Sequence, residues 1–88
     1  MMCVIWKYPI EWGLNKVEMP EGSTVLPTVL VQGRQIVIYA LVNPDKPATI
    51  RLIMVQSTGS PFKLPVNCRY LGTFQVGGDV GHVFELFD

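Results

Sequence analysis

The sequence predicts a small all-β domain, and three observations carry that prediction. Glycine or proline recurs about every eight to twelve residues, the spacing of short strands joined by turns. The apolar residues alternate with period two, and no window carries a helical stripe. Seven prolines and eight glycines also leave little uninterrupted chain for a helix. Together these point to about seven antiparallel strands arranged as a sandwich or an open barrel.

The first strand runs from about Cys3 to Pro9, with Val4, Trp6 and Tyr8 on one face and Ile5 and Lys7 on the other. "NKVEMP" is a short second strand, and Pro20 with Gly22 turns the chain. "TVLPTVLVQ" is the third, where Pro27 requires an edge position or a bulge. Gly33–Arg34 fits a two-residue hairpin turn. "QIVIYALVN" follows, apolar on both faces and therefore central. After the loop "PDKPA", "TIRLIMVQS" is the fifth strand, with Ile50, Leu52 and Met54 opposite Arg51, Ile53 and Val55. "TGSPFKLPVN" is a loop. In the sixth strand, "CRYLGTFQV", alternation puts Cys68, Tyr70, Phe74 and Val76 inward and Arg69, Leu71, Thr73 and Gln75 outward. Gly77–Gly78 makes a second tight hairpin, and the closing strand spans about Asp79–Phe87.

Residues 1–88 are read as one domain. A chain this short buries only about 60% of its unfolded surface, yet 49% of its residues are hydrophobic. The fourth and fifth strands are apolar on both faces. Ile36, Ile38, Val42, Ile53 and Val55 oppose Val37, Tyr39, Leu41, Leu52 and Met54. With no helix to cover a second face, subunit packing is expected, as a homo-oligomer with a tetramer favoured.

Several classes are disfavoured. Net charge is zero and the seven basic residues form no run, which argues against duplex nucleic acid. No stretch approaches the roughly 20 apolar residues of a membrane-spanning helix. "MMCVIWKYPI" has no signal-peptide pattern, so a cytoplasmic protein with reduced Cys3 and Cys68 is expected. Two cysteines and one histidine far apart match no zinc spacing, so no metal and no cofactor is expected.

His82 is the single histidine. It shares its strand face with Val80, Phe84 and Leu86, against Asp79, Gly81, Val83 and Glu85. Three readings stay open: a half-buried packing residue, a ligand contact at a pocket rim, or a catalytic base. The last lacks a recognisable nucleophile and acid, so the protein is read as a non-enzyme. "STGS" offers the Thr58 and Ser60 hydroxyls and the Gly59 N–H as an anion-binding turn, against an ordinary Ser/Thr turn. Trp6, Tyr8, Tyr39, Phe62 and Tyr70 are stacking candidates, with core the alternative for Trp6 and Tyr8. Trp12 stands beside Gly13 in a turn, where a bulky ring has little reason to pack, and is the stronger contact candidate. Lys7, Arg51 and Arg69 are placed on outward faces, solvated or facing a phosphate.

At "IWKYPI", "VEMPEGSTVL", "YALVNPD", "STGSPF" and "YLGTFQVGGDVGHVFEL" the chain resembles a family of small phage and prophage domains. Their pattern runs aromatic-Lys-Tyr-Pro, Met-Pro-x-Gly, Trp-Ala-Leu-Val-Asp-Pro, Gly-Thr-Gly-His, aromatic-x-Gly-Thr and a closing His-Val-Phe-Glu. The likeness spans about Ile5 to Leu86. Two positions depart from it. Tyr39 stands where the pattern has Trp, and Ser57-Thr58-Gly59-Ser60 where it has Gly-Thr-Gly-His. The closing His82-Val83-Phe84-Glu85 is intact.

The family is similar to the anti-CBASS nucleotide sponges of the fourth class. That resemblance implies a tetramer that sequesters a cyclic dinucleotide signal in the host cytoplasm without degrading it. The expected ligand-binding residues are Trp6, Lys7, Tyr8, Trp12, Thr58, Gly59, Ser60, Arg69 and His82. The alternatives are a phage structural or adaptor module, or an inhibitor of a host protein, acting through an apolar sheet face.

Overall fold

A computed structural model describes residues 2–87; Met1 and Asp88, the ends of the expected 1–88 domain, lie outside the described residues. Among the described residues the chain forms seven antiparallel strands: β1 (Val4–Ile10), β2 (Gly13–Pro20), β3 (Thr24–Gln32), β4 (Gln35–Val42), β5 (Ala48–Ser57), β6 (Cys68–Val76) and β7 (Asp79–Leu86). They make a two-layer sandwich. A three-stranded sheet has the order β1-β4-β3, and a four-stranded sheet has the order β2-β5-β7-β6. The expected all-β class therefore holds, as a sandwich rather than a barrel.

Three strand prolines, Pro9, Pro20 and Pro27, lie on β1, β2 and β3, which are all edge strands. An edge tolerates a residue without an N–H to donate. The pairing of β3 with β4 also shifts register between Val25 and Val29, across Pro27. Gly33 begins the β3–β4 turn at φ +65°, and Gly77 begins the β6–β7 turn at φ +59°. Both are the left-handed values that two-residue hairpins need.

The core lies between the sheets. Ile36, Ile38, Ala40 and Val42 of β4 face Ile53 and Val55 of β5 and Val83 of β7. Along one side β3 packs on β6 and closes the sandwich. Along the other, the edges β1 and β2 stand apart, and Trp6 lies in the cleft there with Met19, Pro20 and Pro44. Leu52, Met54 and Ile50 fall on the outer face of the four-stranded sheet, opposite Ile53 and Val55, as alternation requires.

Several side chains lie on faces other than those expected from the sequence. The register of β6 against β7 slips between Tyr70 and Gly72, so two residues of β6 oppose one of β7. Past this bulge the faces exchange. Leu71 is buried between the sheets, while Tyr70 turns outward beside Phe84, on the same face as Thr73 and His82, Thr73 being outward as expected. Arg69 points inward and donates to the Val25 carbonyl across the sheet gap. Arg51 also points inward. Its Nη2 lies 2.6 Å from Glu85 Oε2, its Nε donates to the same oxygen at 2.8 Å, and its Nη1 donates to the Ser23 carbonyl at 2.7 Å. Glu85 is 1% exposed. The inward face of β7 is thus Gly81, Val83 and Glu85, and the apolar row of Val80, His82, Phe84 and Leu86 looks outward.

Candidate functional site

The loop after β5 folds back over the outer face of the four-stranded sheet and encloses a cleft of about 370 Å³. Its walls come from the loop residues Ser57, Thr58, Gly59, Ser60 and Phe62, and its floor from Gln56, Tyr70, His82 and Phe84. Strand register explains the floor. Gln56 pairs with His82 and His82 with Thr73, while Met54 pairs with Phe84 and Phe84 with Tyr70. These side chains form two adjacent rows on one sheet face.

His82 sits at the centre with both ring nitrogens engaged. Nε2 is 2.7 Å from Thr58 Oγ1. Nδ1 is 3.1 Å from Thr73 Oγ1 and 3.3 Å from the Tyr70 hydroxyl. Tyr70 and Thr73 also bond to each other. A neutral imidazole has one donor and one acceptor nitrogen, so hydroxyls, which do both, suit either tautomer. The Thr58 N–H donates to the Val80 carbonyl at 3.1 Å, which ties the loop to β7. Ser57 and Ser60 hydroxyls meet at 3.0 Å across the turn. Gly59 stands at its apex with φ +89° and open space where a Cβ would be. Aromatic rings complete the wall: Tyr70 meets Phe84 edge-on at 5.1 Å, and Phe62 lies 5.9 Å from Phe84.

Of the residues expected from sequence, the fold brings Thr58, Gly59, Ser60 and His82 into this one cleft. The others are elsewhere. Lys7 is on the outer face of the three-stranded sheet, donating to Gln32 Oε1 at 3.0 Å. Tyr8 points between the sheets. Its hydroxyl is buried without a hydrogen-bond partner, and burial raises its pKa above the usual phenol value. Trp6 lies at the open β1/β2 side. Arg69 is occupied between the sheets. Trp12 does have a packing partner, the Phe74 ring at 5.3 Å, contrary to its reading as an unpacked turn residue.

Sequence reasoning put Tyr70 forward only as a stacking ring, on the inward face, and set neither it nor Thr73 against His82. The bulge that puts Tyr70 on the same face as Thr73 leaves no mark in the pattern except Gly72, which sits in the slip at φ +155° against the Val29 side chain.

The comparisons with known proteins bear on the family alone. Residues 1–88 match the model of a family described as a domain of unknown function, DUF7352. The chain belongs to this family. No curated protein and no solved structure matches the chain. For this DUF7352 chain, function must therefore be argued from the site. No group of three or more His, Cys, Asp or Glu among the described residues is placed to hold a metal ion. No helix among them is long and apolar enough to cross a membrane.

Proposed function

We propose that this domain is a non-catalytic sponge that binds a cyclic nucleotide in the His82 cleft and withholds it from its receptor. The observation that carries the reading is the His82 ring itself. Hydroxyls of Thr58 on one side and of Thr73 and Tyr70 on the other fix its orientation beside three aromatic rings. Such a surface offers a base both stacking area and a polar edge, and stacking contributes roughly 1–3 kcal/mol per base.

The same geometry argues against turnover. Thr58 and His82 resemble a nucleophile and base, yet what meets the other ring nitrogen is a pair of hydroxyls. A carboxylate there would stabilise the imidazolium that forms during catalysis. No Lys or Arg lines the cleft, so a phosphate would rely on the N–H groups and hydroxyls of the 57–60 turn. The cytoplasm of an infected cell is the compartment that fits this role.

The test is thermal unfolding with a panel of cyclic dinucleotides, followed by recovery of the nucleotide. A ligand at 100 times its Kd adds about 2.7 kcal/mol, which raises Tm by roughly 10 °C or more in a domain of this size. Intact nucleotide should return after denaturation. No shift with any cyclic nucleotide removes the sponge reading, and recovery of a cleaved product replaces it with a hydrolase.

A second reading is favoured by the outer face around the cleft. In register, Leu14, Met54, Phe84 and Tyr70 form one row, and Lys16, Leu52, Leu86 and Cys68 the next. Leu14 and Ile50 are each 51% exposed. An apolar sheet face of this breadth marks a protein contact. The homo-oligomer, with a tetramer favoured, would be built there; an adaptor or inhibitor function would use the same face for another protein. Light scattering of the parent and of Leu14→Glu separates these. An oligomer that dissociates in the variant supports self-association, whereas a monomeric parent leaves the face to a different partner.

A further inference from the structure

A second cleft, of about 500 Å³, opens at the end of the sandwich where the β1–β2 turn meets the β3–β4 hairpin. Ile10 and Ile36 form its apolar floor, and Glu11, Trp12, Arg34 and Gln35 stand around it. The turn that carries Glu11 and Trp12 is exposed, yet it is held rigidly by one side chain. Asn15 Oδ1 accepts from the Glu11 N–H at 2.8 Å, and its Nδ2 donates to the carbonyls of Glu11, Gly13 and Ile53 at 2.8, 3.2 and 3.2 Å.

The Trp12 ring is fixed as well. One part of it packs on Phe74, and the tip of the Phe74 ring in turn abuts Gly81, where any Cβ would fall 2.3 Å from Phe74 Cζ. The indole still leaves 43% of the residue in solvent. Across the cleft, the Arg34 guanidinium sits at the tip of a tight hairpin. Among the described residues neither it nor the Glu11 carboxylate makes a hydrogen bond or ion pair. A rigid frame thus presents the exposed part of a flat ring, an acceptor pair and a cation, and the fold pairs neither charge. Preorganised groups of this kind lower the ordering cost of binding.

We propose that this end cleft binds a guanine base carrying a phosphate. Trp12 supplies the stacking surface. The Glu11 carboxylate accepts from the two adjacent N–H donors on the guanine Watson–Crick edge, a pair that adenine, cytosine and uracil do not present. Arg34 takes the phosphate in its planar fork, and Gln35 offers a further donor and acceptor. The site is independent of the His82 cleft, which lies on the outer face of the other sheet.

The experiment follows the two indole N–H signals of the ¹⁵N-labelled full chain during titration with GMP, AMP and guanosine. GMP should move the Trp12 signal and leave that of Trp6 in place. AMP should bind at least about tenfold more weakly, the discrimination expected of one bidentate pair. Glu11→Gln should erase that preference. Arg34→Gln should weaken GMP and leave guanosine unchanged. His82→Ala should change none of these results. Both Glu11 and Arg34 are exposed, so their variants keep the fold. A single-stranded hexanucleotide with one guanine separates the two sources of such a ligand. Binding more than about tenfold tighter than GMP assigns the site to RNA, and equal or weaker binding assigns it to the free nucleotide. A Trp12 signal unmoved by millimolar GMP, equal response to AMP, or loss of the response in His82→Ala overturns the proposal.

Discussion

Replacing Glu85 with alanine removes the carboxylate that Arg51 holds between the sheets. The residue is 1% exposed, and its Oε2 receives both Nε at 2.8 Å and Nη2 at 2.6 Å. Arg51 also reaches the Ser23 carbonyl at 2.7 Å, in the connection from one sheet to the other. Without Glu85 the guanidinium keeps that single neutral acceptor in a half-buried place. Breaking a buried pair from one side costs about 3–5 kcal/mol, because the remaining charge is uncompensated. At roughly 4–8 °C per kcal/mol for a domain this small, Tm should fall by at least about 12 °C.

The double change Arg51→Met with Glu85→Leu exchanges both charges for apolar volume and should recover most of the loss. It is expected within about 2 kcal/mol of the parent, since well-packed apolar pairs often match buried ion pairs. The assay is equilibrium urea unfolding at fixed protein concentration, with the midpoint compared at unchanged slope. A single-variant cost under about 1 kcal/mol, or a double variant as unstable as the sum of the singles, would refute the idea that Glu85 compensates a charge buried between the layers.

Gly81→Ala forces a Cβ into Phe74, whose ring atoms lie 2.3 and 2.5 Å from that position, and should destabilise by at least about 2 kcal/mol in urea unfolding; adding Phe74→Leu should recover part of it. Tyr8→Phe deletes a buried hydroxyl that has no partner and should stabilise by about 1 kcal/mol at neutral pH. Because burial raises the Tyr8 pKa, its contribution is full below the unfolded value near 10 and is lost as pH rises through the folded value. The phenylalanine variant should therefore lose less stability than the parent between about pH 10 and 12, seen in Tm against pH. Thr58→Ala removes the 2.7 Å contact to His82 Nε2 and should weaken cyclic-nucleotide binding by about 0.5–1.5 kcal/mol in calorimetry. Unchanged affinity there would place the ligand elsewhere.

The sequence by itself determined the strands and their edges. A continuous apolar run, apolar on both faces, located β4 at the centre of its sheet. Pro27, which cannot donate, marked an edge strand or a bulge, and Gly33 and Gly77 marked tight hairpins. It also put Thr58, Gly59, Ser60 and His82 forward without saying that they meet. That depends on β7 pairing with both β5 and β6, a contact between distant segments that no local pattern encodes.

Which face turns inward was decided by tertiary structure. An apolar row of Val80, His82, Phe84 and Leu86 reads as the buried side, yet the opposite row carries the buried Glu85. The buried carboxylate is satisfied there by Arg51, a residue 34 positions away. One signal for it was already legible, since Arg51 shares a face with Ile53 and Val55, and a charge on a core face must find a partner. The bulge in β6 is the other such decision. One extra residue puts Tyr70 on the outward face with Thr73 and His82 and sends Leu71 inward. Alternation is a local rule, and a slip of one residue in pairing reverses every face beyond it.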